Sequence, residues 1–561
     1  MNKITLIAIM LICRIGIAQV PDWTWGHNYE SFNQDSRSLT ATDNDGNVYL
    51  IGNFQSASIA VGNNTLTNDG IADTGEIYLV KFDTDGNLLW VKKEGGLNFD
   101  SIMSVATDHD GNVLIAGSFG YAITFGTTSF ANDGTGNFLV KYDGDGNLLW
   151  ARSYSGQADS LTANRIKTDA SGNIYMTGYF ITPTVTFGSI VLANNNFNPE
   201  TGNGTVFVAK FDSAGNPVWA KAAQRTGNSN FYNIAGDLSV DNDGNVFVGG
   251  YFFTETISFD DVSISNPNFG QPFPNVFMVK YDPQGNVVWA KTATPTGFQN
   301  NYIYTVNADN AGNVYFGGAF ASMMTIDTTT ITASASGSKA FVVKLDGSGN
   351  VIWAKAASSN GYSGIDGADT DAGGNLYVGG TFNGPTINFG SGNIVVADQT
   401  GNMFVTKYNA ANGSVAWVRL AGPTNINNRT SIGCRNANEI YVGAYFFSST
   451  IALGSVVLQK TPTTGYNILV AKLQYTSLGI ASQPDNVFNC YPNPVDDVLF
   501  IDDLSGENRF ELYDQRGRNV RSGIWREENA VLRIADLPSG IYFLKVRNVN
   551  GKQSIMKLVK R

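Results

Sequence analysis

Seven times along this chain a short hairpin phrase returns, and a repeat of that length restricts the fold more than any other feature of the sequence. It reads DNDGNVYLIGNF at 43–54, DHDGNVLIAGSF at 108–119, DASGNIYMTGYF at 169–180, DNDGNVFVGGYF at 241–252, DNAGNVYFGGAF at 309–320 and DAGGNLYVGGTF at 371–382, with a degenerate copy, RNANEIYVGAYF, at 435–446. Three other markers keep step with it. One is a tryptophan strand, at Trp25, Trp90, Trp150, Trp219, Trp289, Trp353 and Trp417. The second is a short strand of the type ITFG, residues 123–126, and the third an apolar strand ending in lysine, from Lys81 through Lys141, Lys210, Lys280, Lys344 and Lys407 to Lys472. Each unit holds at least four strands and no helix. Such units cannot bury both faces alone and must stack on their neighbours. Four-stranded units set around an axis form a β-propeller, and strands such as VYLIG and FLVK, apolar with little alternation, suit burial on both faces.

The phase of the repeat predicts closure. Trp25 has no lysine strand before it, and Lys472 has no tryptophan strand after it. Pairing these two orphan strands completes a seventh blade from both ends of the chain and leaves no unpaired edge. The predicted fold is therefore all-β: a seven-bladed β-propeller over 20–475, followed by a small C-terminal β-sandwich.

Most repeats carry two D-x-x-G-N turns, for example Asp43–Gly46 and Asp83–Gly86. Asp at the first position of a type I turn bonds backbone N–H groups, and Gly at the fourth takes positive φ at low cost. A calcium loop is the competing reading, but an EF-hand needs a bidentate Glu at position twelve, and counting from Asp43 that position is Phe54. The third-position Asp is also replaced in other copies by Ser171, Ala214, Gln284, Ala311, Ser348 or Gly373, while the Gly persists. A turn tolerates that change and a metal site does not, so the turns are read as scaffold, with no metal ligands assigned. The recurrent lysines are also read as structural: Lys81 and Asp83, two apart at a strand end, predict an ordinary ion pair or solvated edge. The tryptophans predict packing between blades.

These repeats resemble the bacterial SBBP proteins, whose repeat is similar to FVVKLDGSGNVIWAK at 341–355 followed by DAGGNLYVGG at 371–380. The resemblance covers roughly residues 20–475 and implies a propeller without implying an activity.

Composition narrows the function classes. The chain has 561 residues, 62 of them Gly, and a net charge of -11, which argues against general affinity for nucleic acid or an anionic membrane. Residues 1–19, MNKITLIAIMLICRIGIAQ, combine Lys3 with an apolar core too short to span a bilayer and read as a signal peptide; no other segment reads as a transmembrane helix. Of the remaining cysteines, Cys434 and Cys490 fall in different predicted domains and are read as unpaired.

After Gln474 the repeat stops. Residues 476–486 read as a polar linker, and residues 487–561 carry 12 Lys plus Arg against 10 Asp plus Glu, where the preceding 486 residues carry 24 against 37. Short strands such as VLFIDD and AVLRIADL predict the sandwich. YPNPVDD (491–497), ELYDQRGR (511–518), LPSGIYFLKV (537–546) and MKLVKR (556–561) together resemble the type A C-terminal sorting domain of type IX secretion in Bacteroidetes. That resemblance implies engagement of the type IX machinery through 487–561 and export to the medium or the outer surface. It also implies cleavage of the domain, with release or attachment to lipopolysaccharide.

No catalytic constellation is evident in the sequence. His27 and His109 have no triad context, and no phosphate loop or zinc spacing occurs. No cofactor is assigned. Unique carboxylates such as Glu76, Glu94, Glu200 and Glu255 are scattered along the chain. What departs from the repeat is more informative, because scaffolds place binding on variable loops. The longest insertions, NNNFNPETGNG at 194–204 and SNPNFGQPFPN at 265–275, fall at equivalent positions of neighbouring repeats. Asn196, Phe197, Phe269 and Phe273 are the candidate ligand contacts, since aromatic faces stack and amides hydrogen-bond. The leading expectation is a secreted or surface, non-enzymatic propeller that binds glycan or protein, with adhesion as one role. The alternatives are a carbohydrate-active enzyme with an asymmetric carboxylate pair in the central channel, and a structural surface component.

Overall fold

The computed structural model describes residues 20–475 and 489–561 apart from 32–37, 71–73, 97, 155–160, 199, 201–202, 228–230, 272, 297–299, 334–336, 391–393, 397–400, 425–429, 461–465, 503, 505, 516, 527–529 and 549–552. The expected signal peptide and linker lie outside the described residues. Two compact units divide after Tyr475. The described elements are all strands, and no helix among the described residues is long and apolar enough to cross a membrane.

Among its described residues the first unit has seven antiparallel arrays of four strands, the sixth of them extended by Thr450–Leu453 and Val456–Gln459 into a six-stranded sheet. In the first, Ser38–Thr42 is innermost, followed outward by Val48–Phe54, Glu76–Phe82 and the tryptophan strand Leu88–Glu94. The innermost strands touch in chain order, Ser38–Thr42 against Asp100–Thr107 and onward to Ser431–Asn436, which returns to touch Ser38–Thr42. The seventh sheet uses both ends of the unit. Asp22–Ser31 pairs antiparallel with Tyr466–Gln474, from Asp22 opposite Gln474 to Ser31 opposite Tyr466. Between sheets the apolar faces interlock. The cluster joining the third and second sheets, for instance, packs Met176, Phe180 and Phe207 against Leu114, Ala116 and Leu139.

The D-x-x-G-N turns join these sheets to one another. Within each turn the Asp carboxylate is occupied by N–H donors: Asp43 Oδ1 accepts from the Asn47 backbone at 2.8 Å, and Oδ2 accepts from the Asn47 amide at 2.8 Å. The second turn of the first to sixth sheets is the docking point for the preceding sheet, while Trp417 of the sixth sheet donates instead to the Tyr475 hydroxyl of the seventh. Trp25 Nε1 and Lys472 Nζ of the seventh sheet both donate to Thr84 O of the first, at 3.2 and 3.0 Å. Trp90 Nε1 and Lys81 Nζ likewise share Gly144 O, at 3.1 and 2.8 Å. The indole also lies flat against the turn glycine. Gly215 has φ +79°, and an added Cβ would come within 2.9 Å of the Trp150 ring. The glycine therefore persists in the repeat for two reasons, its backbone angle and the neighbouring indole.

The lysine expectation needs correction. Lys81 pairs with Asp43 at 3.6 Å, across the sheet, and not with Asp83. The same pairing joins Lys141 to Asp108 at 2.7 Å and Lys344 to Asp309 at 3.1 Å. The reason is topological: the first turn and the end of the third strand lie at the same end of the sheet. Burial works against the charge of Asp108, but donors from Asn112 and Lys141 outweigh it and hold its carboxyl below the usual range. That stabilisation is present above about pH 4, the ordinary carboxyl value, and is lost as pH falls through the lower folded-state value.

Gly215→Ala is expected to destabilise the ring by about 1–3 kcal/mol, the usual scale for one strained backbone position. Ala214→Ser in the same turn, exposed to solvent, should change stability little. Urea unfolding followed by tryptophan fluorescence measures both, and equal effects would contradict the docking role of the glycine.

The second unit has a three-stranded sheet (Asn489–Tyr491, Val498–Asp502, Ala530–Arg533) and a four-stranded sheet (Asn519–Trp525, Asn508–Asp514, Gly540–Asn548, Gln553–Lys560). Alternation puts Leu499, Ile501 and Leu532 of one sheet in a common core with Leu512, Leu544 and Leu558 of the other. Cys434 and Cys490 are both free thiols.

Candidate functional site: the mouth of the central channel

In a four-stranded meander, the connections from first to second and third to fourth strands leave at one end, and the remaining connections leave at the other. The D-x-x-G-N turns mark the first end. The insertions at 194–204 and 265–275 follow the second strands of the third and fourth sheets, so they belong to the opposite end.

The described parts of both insertions fold alike. Phe197 N–H donates to Asn194 O and Phe269 N–H to Asn266 O, each at 3.1 Å. The first insertion leans on the strand Gln224–Thr226, and the second on Gly227 just beyond it. The Asn196 amide donates to Arg225 O, while Arg225 Nη2 donates to Asn196 O at 2.8 Å. Phe269 is exposed and lies over Gly227. Phe197 and Phe273 are half-buried. The Asn196 amide is thus used to hold the loop. Desolvation lowers the buried Arg225 guanidinium to about 10.

A concavity lies on the axis, where sequence reasoning placed only the enzyme alternative and named no residue. A constriction of about 100 Å³ is walled by residues of all seven inner strands or their immediate approaches, among them Thr40, Val105, Ile166, Asp237, Thr305, Ala368 and Ile432. At the insertion end it widens to a chamber of about 410 Å³. At the D-x-x-G-N end it widens to one of about 260 Å³, lined by Asp43, Lys167, Asp369 and Arg435 among others.

The upper chamber is built by a repeated backbone irregularity. The inner strands of the second to sixth sheets each carry one bulged residue at the same place: Met103, Asn164, Gly236, Tyr304 and Asp366. All five line the chamber. A bulge turns a side chain out of the alternating pattern, here toward the axis. Gly236 has to be glycine, since a Cβ there would strike Ile303 O of the neighbouring sheet. Tyr179, Tyr251 and Tyr362 complete the aromatic wall. These rings are held by others behind them. Tyr302 meets Tyr251 edge-on at 4.8 Å and stacks on Tyr304 at 5.5 Å, and Tyr232 stacks on Tyr179 at 5.6 Å. Burial pushes the hydroxyls of Tyr304 and Tyr362 well above the usual phenol range, so they stay neutral.

The floor is ionic and narrow. Arg165 Nε lies 3.4 Å from Asp237 Oδ1, and Arg165 Nη1 donates to Asn164 O at 3.2 Å. Asp237 also accepts the backbone N–H groups of Leu238 and Val306, each at 2.9 Å. Asp366 borders both the chamber and the constriction. In the lower chamber, burial and then the Asp369 charge push the Cys434 thiol far up, which leaves it a poor nucleophile. His27 is packed face to face on Phe82 at 5.9 Å, and burial lowers its pKa. Among the described residues, no three ligating side chains are grouped to hold a metal.

The carboxylates that looked scattered include one buried pair, away from the channel. Glu76 and Asp100 both reach the space beside Gly95. Burial, with the neighbouring Glu76 charge as a lesser cause, pushes Asp100 up to about 8, although Gly96 N–H donates to it at 2.7 Å. Raised in the fold, this carboxyl binds its proton more tightly than in the unfolded chain. Its contribution to stability is fully present below about pH 4 and is lost as pH rises toward 8. Asp100→Asn, which copies the protonated shape, is expected to raise the thermal midpoint at pH 8.5 by roughly 2 °C or more and to leave it nearly unchanged at pH 4. Calorimetry at the two pH values checks this; an equal shift at both would remove the charge from the explanation.

Similar proteins were found by sequence and by structure. A WD repeat-containing protein of Acanthamoeba polyphaga mimivirus is 22% identical over 532 residues, covering 79% of this chain and 38% of that protein. The regulatory protein FlaEY of Caulobacter vibrioides is 27% identical over 145 residues, covering 25% of this chain and 15% of its own length. The chain thus spans well under two thirds of either relative. Solved structures it is similar to include a Dyadobacter fermentans protein of unknown function, at TM-score 0.34 and 9% identity, covering 81% of this chain and 99% of that one. A Hadza microbial sialidase is similar at TM-score 0.33 and 10% identity, covering 73% and 75%. Residues 489–561 match the secretion system C-terminal sorting domain, which marks the chain for export by type IX secretion to the cell surface or beyond it.

Proposed function

We propose that the exported ring is a non-enzymatic module that binds glycan at the tyrosine-lined mouth of its channel, with adhesion at the cell surface as its use. One observation carries the reading: from one equivalent position, successive repeats aim four different side chains, Met103, Asn164, Tyr304 and Asp366, into one chamber, with Gly236 at the same place in its wall. Packing alone would favour the same residue in every repeat. Aromatic faces beside an amide, a carboxylate and a guanidinium suit the C–H faces and hydroxyl edges of a sugar. The absence of an enzymatic role is part of the proposal, supported by the engagement of Asp237 with Arg165 and two backbone donors. Asn196, Phe197, Phe269 and Phe273 form a secondary candidate surface at the same end of the ring. Attachment to lipopolysaccharide after loss of the sorting unit would hold the ring at the surface.

The test is a glycan array probed with the full chain, with Tyr304→Ala and with Phe269→Ala. Selective binding lost in Tyr304→Ala supports the mouth. Loss only in Phe269→Ala moves the site to the insertions. No glycan binding by folded protein leaves a protein partner as the reading to pursue.

A further inference from the structure

We infer that the mouth takes the terminal residue of a neutral glycan, inserted end-on along the axis, rather than an internal stretch of a polysaccharide. The inference rests on the glycan reading above and adds the part of the ligand that is recognised.

The chamber is deep and its floor is narrow. From about 410 Å³ it contracts to about 100 Å³ where Arg165 and Asp366 border both spaces. A chain threading through would have to pass that constriction, where the Arg165–Asp237 pair lines the wall and the carboxylate is fixed by two further backbone donors. A polysaccharide lying across the ring would meet the walls at Tyr179, Tyr251 and Thr381, which stand on second strands around the chamber. A terminal unit avoids both obstacles.

Charge argues for a neutral unit. In the chamber the one guanidinium already faces Asp237, with Asp366 alongside, and Lys167, further in at the constriction, lies by Asp369, so the chamber itself offers no unmatched positive charge to an acidic sugar. Neighbouring hydroxyls of a sugar ring can instead donate to the Asp366 carboxylate and accept from the Arg165 guanidinium. Tyr251 and Tyr304, held on either side of Tyr302, offer aromatic surface to its C–H face. The site is preorganised, because the rings that would touch the ligand are fixed by rings behind them.

A recognised chain end should also bind as a single unit. The experiment uses the full chain and a panel of methyl glycosides of glucose, galactose, mannose, fucose, xylose, N-acetylglucosamine and N-acetylgalactosamine. Methyl glucuronide and a methyl sialoside serve as acidic counterparts. Saturation-transfer NMR reads binding, and the same compounds compete against array-positive glycans. The expected result is transfer to at least one neutral glycoside, weakened at least tenfold in Tyr304→Ala and in Asp366→Asn, with competition on the array. The Asp366→Asn exchange keeps the side-chain shape and serves if Tyr304→Ala does not fold. Array binding without competition by any neutral glycoside overturns end recognition and leaves the glycan reading standing. Preference for the acidic glycosides overturns the neutral assignment. Silence in both assays removes the inference and the glycan reading together.

Discussion

Deleting residues 20–31 is expected to abolish the cooperative unfolding of the ring, or to lower its midpoint by more than about 10 °C, a shift of several kcal/mol. The strand Asp22–Ser31 supplies a whole edge of the seventh sheet. Its Trp23 is buried with Trp417, Leu453, Leu469 and Leu473, and loss of a buried Trp side chain alone is worth about 3–5 kcal/mol. Trp25 closes the ring on the first sheet, through Thr84 O and the face of Gly86. Without the strand, Tyr466–Gln474 becomes an open edge and Lys472 keeps its bond to Thr84 with no indole beside it. Differential scanning calorimetry and limited proteolysis of the full-length and deleted chains decide the matter. An unchanged midpoint would mean that the ring holds without its closing strand. Trp23→Ala should show a fraction of the same effect, and an added peptide of residues 20–31 should restore part of it.

The second large effect concerns binding. Tyr304→Ala is expected to weaken glycan affinity by at least tenfold, about 1.4 kcal/mol, with the thermal midpoint little changed. Tyr304 stands at a bulge and is half-buried, so its removal empties the chamber wall more than the core. Tyr251→Ala should act in the same direction, since both rings abut Tyr302. Because burial keeps the Tyr304 and Tyr362 hydroxyls neutral, affinity should not change between pH 7 and 9 through these groups. Titration calorimetry on an array-positive glycan gives the affinities. Full affinity in both variants would clear the mouth of any role.

Much of the scaffold could be read from the sequence because the repeat states it many times over. The D-x-x-G-N turn requires Asp and Gly for local reasons, and the phase of Trp25 and Lys472 already implied a sheet shared between the two ends of the ring. The site was less legible. Met103, Asn164, Gly236, Tyr304 and Asp366 lie inside strands and differ in chemistry, and a bulge is a backbone event without a residue signature. One available signal was the variable residue just before the closing Phe of the hairpin phrase, which is tyrosine at Tyr179, Tyr251 and Tyr445. The partner of Lys81 was misread for a related reason: Asp83 is near in sequence, whereas Asp43 is near across the sheet. At the insertions, loop composition pointed to Asn196 as a ligand contact but gave no sign of the bond its amide makes to Arg225, 29 residues further on.

The shared seventh sheet also sets an order of events. A growing chain carries its first strand exposed until Tyr466–Gln474 has been made, close to the end of the ring. The export address at 489–561 comes only after that partner. A chain cut short before Tyr466 therefore lacks both the closing strand and the address, because the label is written behind the clasp.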